Sequence, residues 1–230
     1  MLQQLEKAIG YEFKNKTLLA TALIHSSFSN EHRKEHIPNN ERLEFLGDAA
    51  LELASSRYLY EKFPDEPEGW LSKKRAALVC EPSLAECARA VDLGSHLQLG
   101  RGEEKNQGRQ RDSLLSDAFE AVIGAMLLDG GFDAAEKFVR RFVMDKMIDH
   151  PAYSDAKTRL QEAVQGALMG EIEYCTVDEQ GPEHDRTFTA EVKIDGKISG
   201  TGSGHSKKMA EQAAAAEALR RLNEEAEHRI

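Results

Sequence analysis

Residues 41–52 read ERLEFLGDAALE, and the spacing of their acidic and apolar side chains decides the fold of the first half of the chain. At 100° per residue, this stretch predicts a helix with a narrow and purely acidic polar face. The acidic face consists of Glu41, Glu44, Asp48 and Glu52, and the remaining circumference is mostly apolar, with Leu43, Phe45, Leu46, Ala50, Leu53 and Ala54. Carboxylates at these spacings repel one another. The stripe is therefore either a solvated face or a site for a divalent cation.

A second acidic stretch lies at residues 113–128, which read SLLSDAFEAVIGAMLL. It predicts a helix built for burial, since every residue from Ala118 onward except Glu120 is apolar or glycine. Asp117 and Glu120 share one face of this helix, which contains no Lys or Arg that could pair with them. Buried carboxylates are costly unless they are paired or bound to metal. The two stretches together indicate that two pairs of carboxylates converge on a metal ion.

Both stretches resemble the signature of the ribonuclease III domain. The resemblance is carried by NNERLEFLGDAAL (39–51) and DAFEAVIGAMLLDGG (117–131). Further matches occur in the family's order at ALIHSSFSNE (22–31), EGWLSKKRAALV (68–79) and LGRGEEKNQGRQRDSLLSDAFEA (99–121). The resemblance implies an all-α nuclease domain with the ribonuclease III fold, which we expect at residues 1–150. Its first acidic helix is expected to begin after Asn39 or Asn40, either of which could cap it, and to reach about Tyr60.

The resemblance also implies roles for individual carboxylates. The expected metal ligands are Glu44, Asp48, Asp117 and Glu120. Asp48 and Glu120 are the predicted catalytic residues. Glu41 and Glu68 are expected to support the site, at a second ion or at RNA-bound water. The expected cofactor is Mg²⁺, which Mn²⁺ could replace, because hard cations take oxygen ligands.

Phe45 lies next to a predicted metal ligand and has two interpretations. A large apolar side chain is most simply a core residue. The family resemblance implies instead that Phe45 enters a socket on a second subunit beside the active site. The expected assembly is a homodimer in which each of two centres cuts one strand of the substrate.

After residue 150 the sequence follows a different pattern. HPAYSD (150–155) is a short polar linker, and a second domain is expected at residues 155–224. Its segments follow the order α-β-β-β-α, with helices at TRLQEAVQGALM and SKKMAEQAAAAEALRRL and strands at EIEYCTV, RTFTAEVKI and KISGTGSG. Asp195-Gly196 is a two-residue hairpin signal between the last two strands. The chain is thus predicted to be multidomain, with an α+β domain following the all-α domain.

The last predicted helix starts with an unusual pair of cations. Ser206 is a suitable N-cap, but Lys207 and Lys208 follow it in the first turn, where cations oppose the helix dipole. The two lysines are either an accident of surface composition or part of a phosphate-binding site that uses the free backbone N–H groups as well.

The same segment resembles a double-stranded RNA-binding domain, whose signature is matched by GSGHSKKMAEQAAAAEAL (202–219). The resemblance implies that the two lysines touch phosphates and that two other regions face successive minor grooves. Those regions are the loop GPEH, with His184, and the first helix of the domain, with Thr158, Gln161, Glu162 and Gln165. Many relatives elsewhere carry a third lysine where this chain has Glu211, a departure that suits bacterial ribonuclease III.

Other charged segments leave alternatives open. Lys73, Lys74 and Arg75 form either a solvated helix face or a phosphate-binding patch near the carboxylates. Residues 94–112 predict a flexible Gly-rich loop, and no GK[ST] follows it, so no nucleotide cofactor is expected. The basic residues of this loop are candidate RNA contacts: Arg101, Lys105, Arg109 and Arg111. His32 and His36 are predicted to lie in an exposed loop or helix end instead of binding zinc.

Composition restricts the class of protein. The chain has 230 residues, of which 40% are hydrophobic, without a long apolar run or an apolar N-terminal signal core, so no membrane association is expected. Its 3 cysteines, Cys80, Cys87 and Cys175, lack CxxC spacing and predict reduced thiols of a cytoplasmic protein. The net charge of −10 is shared evenly by the two halves and predicts modest non-specific affinity for nucleic acid. Specific binding depends on local potential instead.

The implied function is that of a Mg²⁺-dependent endoribonuclease that acts on double-stranded RNA as a homodimer. The resemblance implies 5′-phosphate and 3′-hydroxyl ends and a role in the processing of rRNA, mRNA, tRNA and other RNA. Two alternatives remain at this point. One is a non-catalytic double-stranded-RNA binder with a decayed nuclease domain, and the other is a metal-dependent hydrolase with a different substrate.

Overall fold

The computed structural model describes residues 2–148, 156–166, 170–181 and 186–227. The chain divides into two compact units, Met1–Ile148 and Asp149–Ile230. The predicted linker at residues 150–155 lies outside the described residues. None of the described helices is long and apolar enough to cross a membrane.

The first unit is helical, as the sequence predicted. Its helices are α1 (Leu2–Ile9), α2 (Lys16–Ala22), α3 (Ser26–Glu31), α4 (Glu41–Lys62), α5 (Glu68–Leu78), α6 (Glu81–Ala90), α7 (Leu93–His96), α8 (Arg101–Lys105), α9 (Asp112–Gly130), α10 (Phe132–Val139) and α11 (Asp145–Met147). Short 3₁₀ turns occur at Arg33–Glu35 and Gly108–Gln110. A π-helical segment, Arg140–Met144, joins α10 to α11.

Helix α9 is the centre of this unit. Most of its apolar residues are buried, among them Leu115, Phe119 and Ile123, whereas Leu128 near its end is 57% exposed. It packs most extensively against α4 and also contacts α2, α6 and α10. The helix ends at Gly130, and Gly131 follows with a φ of 79°, a backbone conformation that favours glycine and terminates the helix.

Helices α4 and α9 touch through their backbones. A Cβ atom added to Gly47 would lie 1.8 Å from the carbonyl oxygen of Glu120, and one added to Gly124 would lie 2.1 Å from that of Leu43. Real Cβ atoms do not approach backbone this closely, so only glycine fits at either position. The two acid-bearing helices are therefore held as near to each other as their backbones allow.

Helix α4 is buried on one side only, which corrects the expectation of a mostly buried helix. Leu43, Leu51 and Leu59 are in the core, whereas Phe45 is 80% exposed and Leu53 57% exposed. Phe45 is thus not a core residue. Asn40 occupies the N-cap position without a side-chain capping bond, and its backbone N–H donates to the carbonyl oxygen of Ile24. The prediction that Asn39 or Asn40 caps the helix through its side chain is wrong for Asn40.

One segment before α9 differs from its prediction. Helix α2 ends at Ala22, and Ile24 beyond it pairs in an isolated parallel bridge with Gln98, which lies in that segment. Residues 94–112 are not a flexible loop, since they contain the end of α7, all of α8 and a 3₁₀ turn. Ion pairs between arginines and glutamates of the same segment help to order it.

The described part of the second unit has the predicted α-β-β-β-α order. Helix α12 (Ala156–Gly166) precedes strands β1 (Ile172–Gln180), β2 (Thr187–Ile194) and β3 (Lys197–Gly204), and α13 (Lys207–Glu227) follows them. The strands are antiparallel in the order β1-β2-β3. The turn between β2 and β3 has positive φ at both Asp195 and Gly196, as the hairpin signal predicted.

Both helices of this unit cover one face of the sheet. The core between them includes Leu160, Val164, Val192 and Ala214. Gly202 of β3 lies against α13, where an added Cβ atom would be 2.2 Å from the backbone nitrogen of Ala214. The glycine-rich strand and the alanine-rich helix thus pack backbone to backbone.

The α4–α9 contact makes a prediction about stability. Gly124→Ala should lower the free energy of unfolding by about 1–3 kcal/mol or more, the usual cost of forcing atoms into a packed interior. Gly69→Ala is the matched control, since nothing lies within 4 Å of an added Cβ in helix α5. The control should be neutral or slightly stabilising, because alanine favours helix. Urea denaturation of the purified variants measures both changes, and equal stability of the two variants would contradict the description of the contact.

Candidate functional site

The four predicted metal ligands lie on the two helices that cross at Gly47 and Gly124. Glu44 and Asp48 belong to α4, and Asp117 and Glu120 belong to α9. The crossing places the backbone of Glu120 directly against Gly47, the residue before Asp48. The crossing therefore lies next to Asp48 on one helix and at Glu120 itself on the other.

The carboxylates are close enough to change one another's ionisation. Burial raises the pKa of Glu120 to about 8, and the negative charges of Asp48, Glu44, Asp117 and Glu52 add to the increase. Burial also raises the pKa of Glu44, with further contributions from Asp117, Glu41 and Asp48. These effects identify the predicted ligands as one electrostatic cluster.

Asp117 lies at the edge of this cluster next to α3 and α6. Its pKa is raised chiefly by burial, whereas the electrostatic effect of the nearby His25 lowers it and the negative charge of Glu81 raises it. The backbone nitrogen of Ser27 lies 3.2 Å from the Nδ1 atom of His25, which fixes the ring at the start of α3. Sequence analysis did not single out His25 or Glu81, because neither belongs to an acidic helix face.

No described Lys or Arg forms an ion pair with Glu44, Asp48, Asp117 or Glu120. Among the described residues, no three His, Cys, Asp or Glu side chains stand close enough together to enclose an ion. The cluster is therefore a set of mutually repelling carboxylates, and the specific ligand set remains a prediction. Carboxylate oxygens are the donors that a hard divalent cation prefers, so the chemistry of the cluster fits such an ion.

The remaining acidic residues of the prediction have different surroundings. Glu52 forms an ion pair with Arg75 of α5, with 2.8 Å between Oε2 and Nε. Glu41 lies close enough to Glu44 to raise its pKa. Glu68 accepts a hydrogen bond from Ser72 on its own helix, and it is absent from the described charges that raise the pKa of Glu120.

The predicted phosphate-binding patch on α5 is mostly committed to other contacts. The Nζ atom of Lys74 is buried and donates to the carbonyl oxygen of Ile148. Arg75 donates to Ser56 in addition to its ion pair with Glu52. Lys73 alone of the three is exposed.

Two of the four basic residues of segment 94–112 are likewise occupied, whereas Arg101 and Lys105 are exposed. Arg109 pairs with Glu104, and Arg111 pairs with Glu103. Arg109 also donates to the carbonyl oxygens of Gly94 and Ser95, which ties α8 to α7. The prediction of a flexible strip of free cations is wrong for these arginines, because neighbouring glutamates neutralise them.

The histidine pair does not resemble a metal site. His32 stacks on Phe28 and its Nδ1 lies 2.9 Å from the carbonyl oxygen of that residue. His36 is an exposed residue with a φ of 52°. This agrees with the prediction of an exposed helix end.

The predicted RNA contacts of the second unit lie on accessible surfaces where they are described. On α12, Gln161, Glu162 and Gln165 are exposed and Thr158 is partly exposed. Lys207 and Lys208 are exposed at the start of α13, and the Oγ atom of Ser206 accepts the backbone N–H of Met209 as a cap. His184 lies outside the described residues.

The first unit also has an exposed apolar stripe along α4. It consists of Phe45, Ala49, Leu53 and Tyr60, which fall within about 80° of one another on the helix. Large exposed apolar side chains in a row usually mark an interaction surface. Periodicity revealed that these residues are apolar, but it could not separate a core face from a contact face.

Comparison with known proteins matches both units. A family described as Ribonuclease-III-like matches residues 15–147, and the double-stranded RNA binding motif matches residues 156–222. The Ribonuclease 3 of Caldanaerobacter subterraneus is 52% identical over 225 residues, covering 96% of this chain and 98% of that protein. The Ribonuclease 3 of Listeria monocytogenes is 50% identical over 223 residues, covering 96% of this chain and 97% of that protein.

Solved structures agree. The nuclease domain of ribonuclease III from Campylobacter jejuni has a TM-score of 0.60 and 45% sequence identity, covering 64% of this chain and 99% of that domain. That protein is described as flexible in a region involved in dimer formation.

The raised pKa of Glu120 makes a prediction about stability and pH. The folded protein holds the proton up to about pH 8, whereas a glutamate in the unfolded chain releases it near the ordinary pKa of 4.5. Ionisation between these values therefore favours unfolding. In a buffer with a metal chelator, the melting temperature should fall as pH rises from about 5 to about 8.

Glu120→Gln should flatten this dependence, because it removes the titrating group. Glu12→Gln is the control, since the Glu12 side chain is 90% exposed. The control should retain the dependence of the parent. If Glu120→Gln and the parent have the same profile of melting temperature against pH, the assignment of the raised pKa is wrong.

Proposed function

The chain belongs to the ribonuclease III family, and we propose that it is a metal-dependent endonuclease that hydrolyses phosphodiester bonds in double-stranded RNA. We propose Mg²⁺ as the cofactor, with Mn²⁺ as a substitute, and 5′-phosphate and 3′-hydroxyl product ends. The observation that carries the proposal is the cluster of carboxylates at the crossing of α4 and α9, which has no cationic partner in the part of the chain that the structure describes.

The proposed ligands are Glu44, Asp48, Asp117 and Glu120. When bound, a divalent cation supplies Lewis-acid stabilisation of phosphate charge and lowers the pKa of a water nucleophile. The chain's own part is to keep the four carboxylates within electrostatic range of one another despite their repulsion. The rigid helix crossing does this, because neither helix can move away without losing the packing of Gly47 against α9.

Asp48 and Glu120 have the central roles in the proposal. Glu120 is the most strongly perturbed carboxylate of the cluster, and the charge of Asp48 is the largest electrostatic cause of that perturbation. Asp48 is exposed, so its carboxylate can reach a substrate phosphate or the attacking water. We assign Glu120 as a direct ligand and Asp48 as a ligand or water-orienting residue. Glu41 is a supporting carboxylate and Glu68 a more distant candidate.

The second unit supplies the affinity for the duplex in this proposal. Lys207 and Lys208 contact phosphates, and Thr158, Gln161, Glu162 and Gln165 face a minor groove. Phosphate contacts carry no base information, so binding should be general for duplex RNA. The relatives named Ribonuclease 3 and the matched RNA-binding motif support this assignment.

We further propose that the chain acts as a homodimer through the stripe of Phe45, Ala49, Leu53 and Tyr60. The stripe lies on the same helix as Glu44 and Asp48, so a partner docked there would lie beside the carboxylate cluster. The Campylobacter nuclease domain has a region involved in dimer formation, which supports an assembly of this kind. We propose the cytoplasm as the site of action, and the processing of rRNA, mRNA and tRNA precursors as the role.

A non-catalytic RNA-binding protein is the main alternative. The presence of all four carboxylates in one cluster argues against it. A long perfect RNA duplex incubated with and without Mg²⁺ separates the two functions, since only a nuclease shortens it. A duplex that stays intact at every Mg²⁺ concentration would leave only the binding function.

Replacing one carboxylate of the centre should abolish cleavage without abolishing binding. We expect Asp48→Asn and Glu120→Gln each to reduce the cleavage rate by on the order of a hundredfold or more, because charge stabilisation in the transition state is lost. Both variants should still bind duplex RNA in gel-shift assays. Asp65→Asn removes an exposed carboxylate outside the cluster and is the control. Near-normal cleavage by either variant in Mg²⁺ would refute the assignment.

Shortening the apolar stripe should weaken the dimer. We expect Phe45→Ala to raise the dimer dissociation constant roughly tenfold or more, since a large exposed anchor is lost from the contact. Ile198→Ala is the control, because Ile198 is 53% exposed but lies on β3 of the second unit. Sedimentation equilibrium of the full chain and of a 1–150 fragment measures the association. A monomeric parent chain, or a Phe45→Ala chain that dimerises as tightly as the parent, would contradict the prediction.

A further inference from the structure

An ion pair joins the two helices that carry the proposed RNA contacts. The Nζ atom of Lys157 on α12 lies 2.6 Å from the Oε2 atom of Glu211 on α13. The side chains are only 35% and 28% exposed. The ammonium group also lies 4.1 Å from the centre of the Tyr174 ring, which holds it in place from the side of the sheet. The Lys157 side chain therefore packs against Glu211 and Tyr174, whereas Lys207 and Lys208 are exposed to solvent.

The position of Glu211 makes this ion pair relevant to RNA. Glu211 lies one turn after Lys207 and Lys208, with a direction between theirs when viewed along the helix. Residues at this spacing have Cβ atoms about 5–6 Å apart. A free carboxylate here would repel any phosphate that the two lysines bind, and it would also neutralise part of their attraction.

The backbone around the pair is fixed. The backbone N–H of Lys157 donates to the Oε1 atom of Gln212, whose side chain is buried. This bond connects the start of α12 with the turn of α13 that carries Glu211. Lys157 is consequently held where its charge can cancel that of Glu211.

We propose that Lys157 determines the affinity for duplex RNA by neutralising Glu211, without contacting RNA itself. The inference rests on the proposed function, since it concerns how the second unit binds phosphate. It assigns to the pair an electrostatic role, namely to keep a carboxylate from opposing the two phosphate-binding lysines. The ligand is the phosphate backbone of a nucleic acid duplex.

The proposal predicts opposite behaviour for the two partners. Lys157→Met leaves the carboxylate uncompensated, so the affinity for duplex RNA should fall by about three- to tenfold, as expected for one charge a few ångströms from the phosphates in water. Glu211→Gln removes the repelling charge, so its affinity should equal or exceed that of the parent. The double variant should bind within about twofold of the parent, because neither charge remains.

The measurement is fluorescence anisotropy of a labelled RNA duplex with the full chain, in chelator so that no cleavage occurs. Each variant is also melted by circular dichroism to establish that it is folded. Arg220→Met is the matched control. It removes a cation from the same helix about 20 Å beyond Lys207, outside the screening length of physiological salt. It should change affinity much less than Lys157→Met does.

Several outcomes would overturn the proposal. If both single variants weaken binding equally, the ion pair acts by stabilising the packing of α12 against α13 and not by neutralising Glu211. If the double variant binds as weakly as Lys157→Met, Lys157 itself contacts RNA. If the affinity of every variant equals that of the parent, the charge of Glu211 does not affect the binding of duplex RNA. A parent chain that fails to bind duplex RNA, or one whose affinity is unchanged when Lys207 and Lys208 are both replaced by Ala, would instead refute the proposed function.

Discussion

The close approach of α4 and α9 at Gly47 and Gly124 is the constraint on which the first unit depends. Glycine in the middle of a helix costs about 1 kcal/mol relative to alanine, so two such residues need a structural reason. Here the missing Cβ atoms let each helix press against the other's carbonyl groups. The same contact brings carboxylates of both helices close enough to raise the pKa of Glu120 and of Glu44. The packing of α4 against α9 and the proximity of their carboxylates thus both follow from the two glycines.

Acidic residues elsewhere in the chain differ from the carboxylates at the helix crossing, because many of them are paired with basic residues. Several acidic residues outside the cluster have basic partners nearby, such as Glu52 with Arg75, Glu104 with Arg109 and Glu211 with Lys157. The four carboxylates at the helix crossing have no such partner among the described residues. Helix packing holds these carboxylates together despite their repulsion. The raised pKa of Glu120 reduces the repulsion, because the protonated side chain carries no charge. A net charge of −10 is compatible with the proposed binding of RNA, because local neutralisation matters more than the total.

Much of this organisation was predictable from sequence, for identifiable reasons. The 3.6-residue period of α4 and α9 placed the acids on shared faces. The Asp195-Gly196 signal between two predicted strands predicted the hairpin. The exposure of Phe45 was not predictable from periodicity, because an apolar residue at a contact surface has the same pattern as one in the core. Residues 94–112 were mispredicted because glycine and charge indicate a loop. The pairing of Arg109 with Glu104 and of Arg111 with Glu103, which helps to order the segment, is tertiary information. The close packing of α4 against α9 could have been predicted from Gly47 and Gly124, because a glycine inside a helical pattern often marks a close contact.

The central claim is that the carboxylates of α4 and α9 form one metal centre. Calorimetric titration of the chain with Mg²⁺ at pH 7, in two buffers of different ionisation enthalpy, tests it most directly. Since the pKa of Glu120 is about 8 in the metal-free protein, binding should release about one proton per site. The same titration of Glu120→Gln should show weaker binding without this release. Mg²⁺ binding that releases no proton, or that is the same in parent and Glu120→Gln, would contradict the account.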